Sequence, residues 1–241
     1  MGRMFDGMAM IESGEVMPVR MIVMGDAKVG KTTFAATFPD PFAIFMAMED
    51  GHKTLIGKPI EGYICTSWSD ISDQVEKFVA GFARAKAQGK SWFKTFIFDG
   101  LSFAGLMLEA ELRETTAYKD PRQMWGDFAN QMQAHLNTLH TLPINVVYTA
   151  HVQTKENDKG QTVSSELLFQ GKFRKLLPAS VDGCAAMIPT DKPSVRRLLL
   201  QPTAKWSQVG FRFRGLPETI DNVDFEKFAA AFDRTGLRLL R

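Results

Sequence analysis

Nine consecutive residues hold the densest chemistry in the chain: Gly25, Asp26, Ala27, Lys28, Val29, Gly30, Lys31, Thr32 and Thr33. They fit G-x-x-x-x-G-K-[ST], the loop that cradles phosphates. Gly25 and Gly30 let the backbone curl so that successive N–H groups point inward at an anion. A helix starting near Lys31 adds its positive end. In such a loop the lysine, here Lys31, reaches the β- and γ-phosphates of a nucleoside triphosphate, and the hydroxyl, here Thr32, ligates Mg2+. The flanks support the motif: Val19 to Met24 is an apolar run of strand length, and Phe34 to Phe38 can open a helix.

The partners such a loop needs must come from other strand ends. Phe42 to Met48 is continuously apolar after Pro39 and Pro41, reads as a buried parallel strand, and ends at Glu49, Asp50 and Gly51. Ligands of open α/β sheets sit at the carboxyl ends of strands. Glu49 is therefore a candidate for the base that orients an attacking water, although a solvated turn accounts for its position equally well. Lys94 to Asp99 is a second buried strand, closed by an acid 68 residues after Lys31. Asp99 is the best candidate for the carboxylate that holds the Mg2+ shell from the side opposite Thr32. Ile144 to Ala150 is a third, and it ends at His151, where a polar side chain can touch a γ-phosphate; spacing alone fits an ordinary strand-end histidine as well. Gln153 to Ser165 follows, polar and turn-rich, as a mobile loop or hairpin that nucleotide state could control.

The remaining elements are framework. Ile60 to Thr66 reads as a strand. Ser69 to Gln88 reads as an amphipathic helix capped by Ser69 or Asp70 and ended by Gly89. Leu101 to Glu114 and Met124 to Leu142 read as helices separated by a break at Tyr118 to Arg122. His135 and His140 lie five apart, off a common helical face, which argues against a metal pair. Gly171 to Ala179 reads as a short basic amphipathic helix carrying Lys172, Arg174 and Lys175. Gly183 to Ile188 and Val195 to Leu200 read as an antiparallel pair at the sheet edge. Lys205, Trp206, Phe211, Arg212, Phe213 and Arg214 form a basic–aromatic cluster. It is either an edge strand with a solvated face or a contact with a neighbour's nucleotide or a nucleic-acid strand. Val223 to Phe232 reads as a closing amphipathic helix.

Composition bounds the rest. With 241 residues, 45% hydrophobic and 23% charged, the chain is expected to form one α/β domain over residues 18–241, preceded by a flexible or subunit-docking segment, 1–17. A net charge of +2 neither demands nor excludes nucleic acid. Two isolated cysteines, Cys65 and Cys184, argue against a disulfide framework or zinc site and for a reducing, cytoplasmic setting. No apolar run approaches a membrane span, and Met1 to Glu15 lacks the order of a signal peptide.

With these residues placed, the chain resembles the RecA-like ATPases. Within them it is most similar to the phage single-strand annealing and recombination proteins called Sak-four, from about Val19 to about Asp221. The resemblance is carried by four motifs in order: Gly25-x4-Gly30-Lys31-Thr32, Met46 to Glu49, Phe96 to Asp99, and Val146 to His151. It implies a RecA-like P-loop core, with a mostly parallel sheet flanked by helices and an antiparallel edge extension. It also implies Glu49 and Lys31 as catalytic residues and His151 as the γ-phosphate sensor, a position usually occupied by Gln. ATP and Mg2+ would be the cofactors. The loop after His151 would contact DNA, with Lys155, Lys159, Lys172, Arg174 and Lys175 as candidate contacts. Leu216 to Asp221 resembles the tail of this group, in which an upstream Lys and Arg reach a neighbour's nucleotide; Arg212 matches the Arg, while Gly210 stands at the Lys position and Lys205 is the candidate to replace it. Ala47 stands where the group often has Asp. The implied partners are single-stranded DNA, further copies in a ring or filament, and a single-strand-binding protein, in the host-cell cytoplasm if the gene is a phage's.

Two other classes compete. A GTPase switch shares the P-loop spacing, but no N/T-K-x-D guanine reader is present and Asp99 is not followed by the D-x-x-G glycine. A nucleotide or small-molecule kinase would need an Arg-rich lid, and none is evident.

Overall fold

The computed structural model describes residues 16–169, 171, 173–192 and 194–241. Lys172 and residues 1–15 of the expected N-terminal segment lie outside the described residues. In chain order the elements are β1 (Val16–Met17), β2 (Arg20–Met24), α1 (Lys31–Ala35), β3 (Pro41–Met46), β4 (Glu61–Cys65), α2 (Trp68–Ala87), β5 (Thr95–Asp99), α3 (Leu101–Thr115) and α4 (Pro121–His140). There follow β6 (Asn145–Ala150), β7 (Val152–Glu156), β8 (Thr162–Leu167), α5 (Phe173–Leu176), β9 (Gly183–Pro189), β10 (Arg196–Leu199), β11 (Gly210–Phe211), β12 (Thr219–Asp221), α6 (Phe225–Asp233) and β13 (Arg238–Leu239).

The central sheet runs β12-β10-β9-β2-β6-β5-β3-β4, with β11 also paired to β9. From β9 to β4 every pairing is parallel; β10, β11 and β12 add an antiparallel edge. The fold is thus an α/β fold of the P-loop type. The parallel strands β2, β3, β5 and β6 are buried on both faces, which is why each reads as an unbroken apolar run.

Alternation along those strands divides the core in two. Ile22, Ile44, Phe96, Phe98, Val146 and Tyr148 point at α2, α3 and α4. Met21, Val23, Ala43, Phe45, Ile97 and Val147 point at α1 and α6. On that second face Phe34 of α1 meets Phe38 at 5.4 Å and Phe228 of α6 at 5.8 Å. Each such ring contributes about 1.5–3 kcal/mol by burial. Together they fix the short helix that follows the phosphate loop. A small antiparallel ribbon, β7–β8, stands off the sheet and is the hairpin anticipated between Gln153 and Ser165.

Several boundaries differ from the sequence reading. The cap of α2 is Ser67, whose hydroxyl accepts from Asp70 N at 3.0 Å; the apolar stripe hid it because Trp68 already belongs to the helix. Helix α4 starts at Pro121, not Met124, because Asp120 caps it by accepting from Arg122 N and proline suits the first turn. The basic helix shrinks to Phe173–Leu176 and continues as a 3-10 turn, Leu177–Ser180, around Pro178. Strand β9 is interior, paired to β2, and the edge lies beyond it at β12. Of the basic–aromatic cluster only Phe211 lies in a strand, the short β11 (Gly210–Phe211). Phe211 and Phe213 are half-buried and pack against Phe232 of the core at 5.7 and 5.4 Å, so these aromatics face inward.

Candidate active site

The loop from Gly25 to Gly30 leaves β2 between β6 and β9. Gly25 is required by close approach: a Cβ there would lie 2.5 Å from the Met187 carbonyl of β9. Gly30 adopts φ 102° as the cap of α1, a conformation that favours glycine. Lys31 is 5% exposed, and its Nζ donates to the carbonyls of Gly25 at 3.1 Å and Asp26 at 2.7 Å. Burial pulls its pKa down, while Glu49, Asp99 and Asp26 oppose that pull.

Asp99 ends β5 on the α1 face, in phase with Ile97. It is 2% exposed. Thr32 Oγ1 donates within reach of both its oxygens, at 2.9 and 3.0 Å, and Thr149 Oγ1 donates to Oδ1 at 2.7 Å. Burial raises its pKa, and the bonds from Thr149 and Thr32 oppose that rise. Thr149 also accepts from Gly100 N at 2.9 Å, so it ties the end of β6 to the end of β5. A Cβ on Gly51 would fall against Asp99 Oδ2, so only glycine leaves room for the carboxylate in this position.

Glu49 follows β3 by a turn in which its N–H donates to Met46 O at 3.0 Å. His151, directly after β6, donates through Nε2 to Glu49 Oε1 at 2.5 Å. The histidine is held from α3: its N–H donates to Ser102 Oγ at 3.0 Å and its ring meets Phe103 edge-on at 5.4 Å. Glu49 Oε2 is buried with no hydrogen-bond partner among the described residues. Such an orphan is costly unless something enters to meet it.

Lys31, Thr32, Glu49 and His151 line one cavity of about 320 Å3, together with Arg196 and others. Asp99, bonded to Thr32, and Thr149 are buried and do not line it. Ala27, Lys28, Gly30 and Thr33 complete its P-loop wall. A larger hollow, about 860 Å3, opens between β1, β13 and Asp233, and none of the motif residues lines it.

A family model described as an AAA domain matches residues 17–210. The chain belongs to that family. The match spans every residue of the cavity, so this AAA domain is a P-loop ATPase of the α/β class. A search of curated proteins finds no match.

The AAA domain's donor set suits a magnesium nucleotide. Thr32 Oγ1 and the two Asp99 oxygens are hard ligands gathered in one place, and Mg2+ usually takes only one or two protein oxygens, the rest coming from water and phosphate. Thr32 and Asp99 are the residues that would hold the ion, and Lys31 the residue that would meet the phosphates.

The other sequence candidates lie elsewhere. Lys155 pairs with Glu166 at 3.2 Å, and Arg174 reaches the same carboxylate at 3.5 Å, so one acid joins the β7–β8 hairpin to α5. Lys159 at the hairpin tip and Lys175 on α5 are exposed. Lys205 Nζ lies 6.0 Å over the Trp206 ring, and Arg212 Nη2 donates to Ala179 O at 2.5 Å; neither lines the cavity. Sequence reasoning missed Thr149 and Arg196. Thr149 lay inside the quoted Val146–His151 motif, where a hydroxyl in a buried apolar strand was the available signal. Arg196 had no motif to mark it.

Proposed function

We propose that this AAA domain hydrolyses ATP with a water oriented by Glu49 and uses the cycle to grip and release single-stranded DNA, as a RecA-like recombination or annealing protein of the Sak-four kind. The observation that carries the reading is His151. On one side it bonds the candidate base; on the other it leads directly into β7, and its carbonyl accepts from Leu168 N at 2.8 Å where the hairpin returns. One residue therefore links the triphosphate end of the cavity to the β7–β8 hairpin.

In this reading Lys31 binds the β- and γ-phosphates and Glu49 takes or orients the water's proton. His151 exchanges its bond to Glu49 for the γ-phosphate, which frees the base and shifts the hairpin. When bound, Mg2+ neutralises charge on the phosphates. Lys155, Lys159, Arg174 and Lys175 would meet DNA through its backbone, and so with a salt-sensitive affinity. Glu166 already draws on two of them, so DNA must compete for those cations. ATP would lie at a subunit boundary of a ring or filament, where a neighbour's Lys205 or Arg212 adds charge, and a single-strand-binding protein is a fitting companion. A cytoplasmic site suits buried, unpaired cysteines.

The test is ATP hydrolysis with and without single-stranded DNA, for the wild type, Lys31→Ala and Glu49→Gln. The expected result is stimulation by DNA, loss of binding in Lys31→Ala, and a drop of about a hundredfold or more in Glu49→Gln with ATP still bound. Hydrolysis indifferent to DNA leaves the ATPase and removes the recombination reading. DNA affinity that does not fall with rising salt removes the proposed contacts.

A further inference from the structure

Strand β10 sends two consecutive arginines to opposite faces of the sheet. Leu199 packs in the core beneath α2, α3 and α4, and Arg197 shares its face. Arg197 is locked there by Asp221, which accepts from Nε at 2.6 Å and from Nη2 at 2.8 Å. Leu198 packs in the core with α1 and α6, and Arg196 shares that face. This is the face that carries the phosphate loop.

Arg196 ends against the loop itself. A Cβ built on Gly30 would lie 2.5 Å from Arg196 Nη1 and 2.7 Å from its Cδ. The side chain lines the same cavity as Lys31, Thr32, Glu49 and His151. Its backbone is pinned: the N–H donates to Asn222 Oδ1 at 3.3 Å and the carbonyl accepts from Asn222 N at 2.8 Å. Its guanidinium, in contrast to that of Arg197, has no hydrogen-bond or ion-pair partner among the described residues. A guanidinium is permanently charged and offers paired donors that match phosphate oxygens. Here it is held at the mouth of an anion-binding loop with its donors free.

We infer that Arg196 is a phosphate-binding residue of the chain's own nucleotide site, closing over Gly30 to contact the polyphosphate that the P-loop holds. The inference rests on the ATPase reading and deepens it. The nucleotide is gripped by two cations of one chain, Lys31 from below and Arg196 from the antiparallel edge of the sheet. The second cation does not depend on a neighbouring subunit, unlike Lys205 or Arg212.

The experiment is equilibrium binding of ATP, and of inorganic tripolyphosphate as competitor, to the full chain and to Arg196→Ala, Arg196→Lys, Arg197→Ala and Lys31→Ala, with thermal unfolding of each. Arg196→Ala is expected to weaken both ligands by about tenfold to a hundredfold. Arg196→Lys recovers part of the loss, because an ammonium keeps the charge without the fork, and Arg197→Ala binds as the wild type does. The loss persists in protein diluted below self-association. Wild-type affinity for both ligands in a folded Arg196→Ala overturns the inference. A loss for ATP alone moves the contact to base or sugar and also overturns it, and a loss that vanishes on dilution overturns the single-chain assignment. If Lys31→Ala itself binds ATP normally, the P-loop reading has failed, whatever Arg196 does.

Discussion

Thr149→Val tests how the site is braced. Thr149 is fully buried, and its hydroxyl makes two bonds at once: it donates to Asp99 Oδ1 at 2.7 Å and accepts from Gly100 N at 2.9 Å. Valine matches its shape, so no cavity opens and β-propensity is kept. What is lost is a hydrogen bond to a charged acceptor, about 1.5–3 kcal/mol, together with the partner of a buried N–H, about 1–3 kcal/mol. The two overlap, since relaxation that helps one group helps the other, so the expected cost is about 3 kcal/mol. Chemical denaturation at pH 7 measures it. Thr149→Ser, which keeps the hydroxyl, is the control and is expected to cost about 1 kcal/mol for its missing methyl. Asp99 loses one of its two hydroxyl donors in the valine variant, so hydrolysis should also need more Mg2+. The reasoning is refuted if Thr149→Val lies within about 0.5 kcal/mol of the wild type, or if serine costs as much as valine.

Two further outcomes follow from the same geometry. Gly100 has φ 101°, and a Cβ there would fall against Glu49 Oε2 and lie 2.8 Å from Met46 Cγ. Gly100→Ala should therefore displace Glu49 and cut hydrolysis while nucleotide affinity stays near wild type; equal losses in both would mean that the whole pocket had moved. His140 is half-buried, bonded to Tyr148 Oη at 3.1 Å, and burial with help from the Arg20 charge lowers its pKa from 6.5 to about 4. The neutral form is thus favoured in the fold: its contribution is complete above pH 6.5 and is lost as pH falls toward 4. Discounted for partial exposure, this is about 1–2 kcal/mol. His140→Gln should lose that much less stability than the wild type between pH 7 and 4, and parallel pH curves would contradict it.

The layered α/β plan was legible because fully buried parallel strands announce themselves as apolar runs closed by a polar residue. Met24, Asp99 and Ala150 are true strand ends, whereas the run from Phe42 to Met48 outlasts its strand, which stops at Met46. The helix bodies were legible, and so were the starts of α1 at Lys31 and α3 at Leu101. The starts of α2 and α4 were not, because Ser67 and Asp120 act through a single side-chain bond to the backbone, which leaves no periodic trace. In the Lys205–Arg214 cluster the alternative of a strand with one solvated face fits around β11: Phe211 and Phe213 turn inward onto α6 while Arg212 and Arg214 are exposed.

The same division explains the site. Lys31, Thr32 and Asp99 were candidates because each sits in a local pattern whose chemistry is self-contained, while Glu49 was one only through its place after a strand and the family resemblance. Thr149 and Arg196 were not candidates, because their roles come from pairing. Alternation within a strand says that Thr149 is in phase with Val147, and Arg196 with Leu198, but it does not say which strand lies alongside. The order β10-β9-β2-β6-β5 supplies that. It puts β6 between the P-loop strand and the Asp99 strand, so a hydroxyl at the end of β6 falls on Asp99. It puts β10 one strand beyond β9, so an arginine at its first residue overhangs Gly30. A motif therefore locates the phosphates, and strand order decides which additional charges reach them.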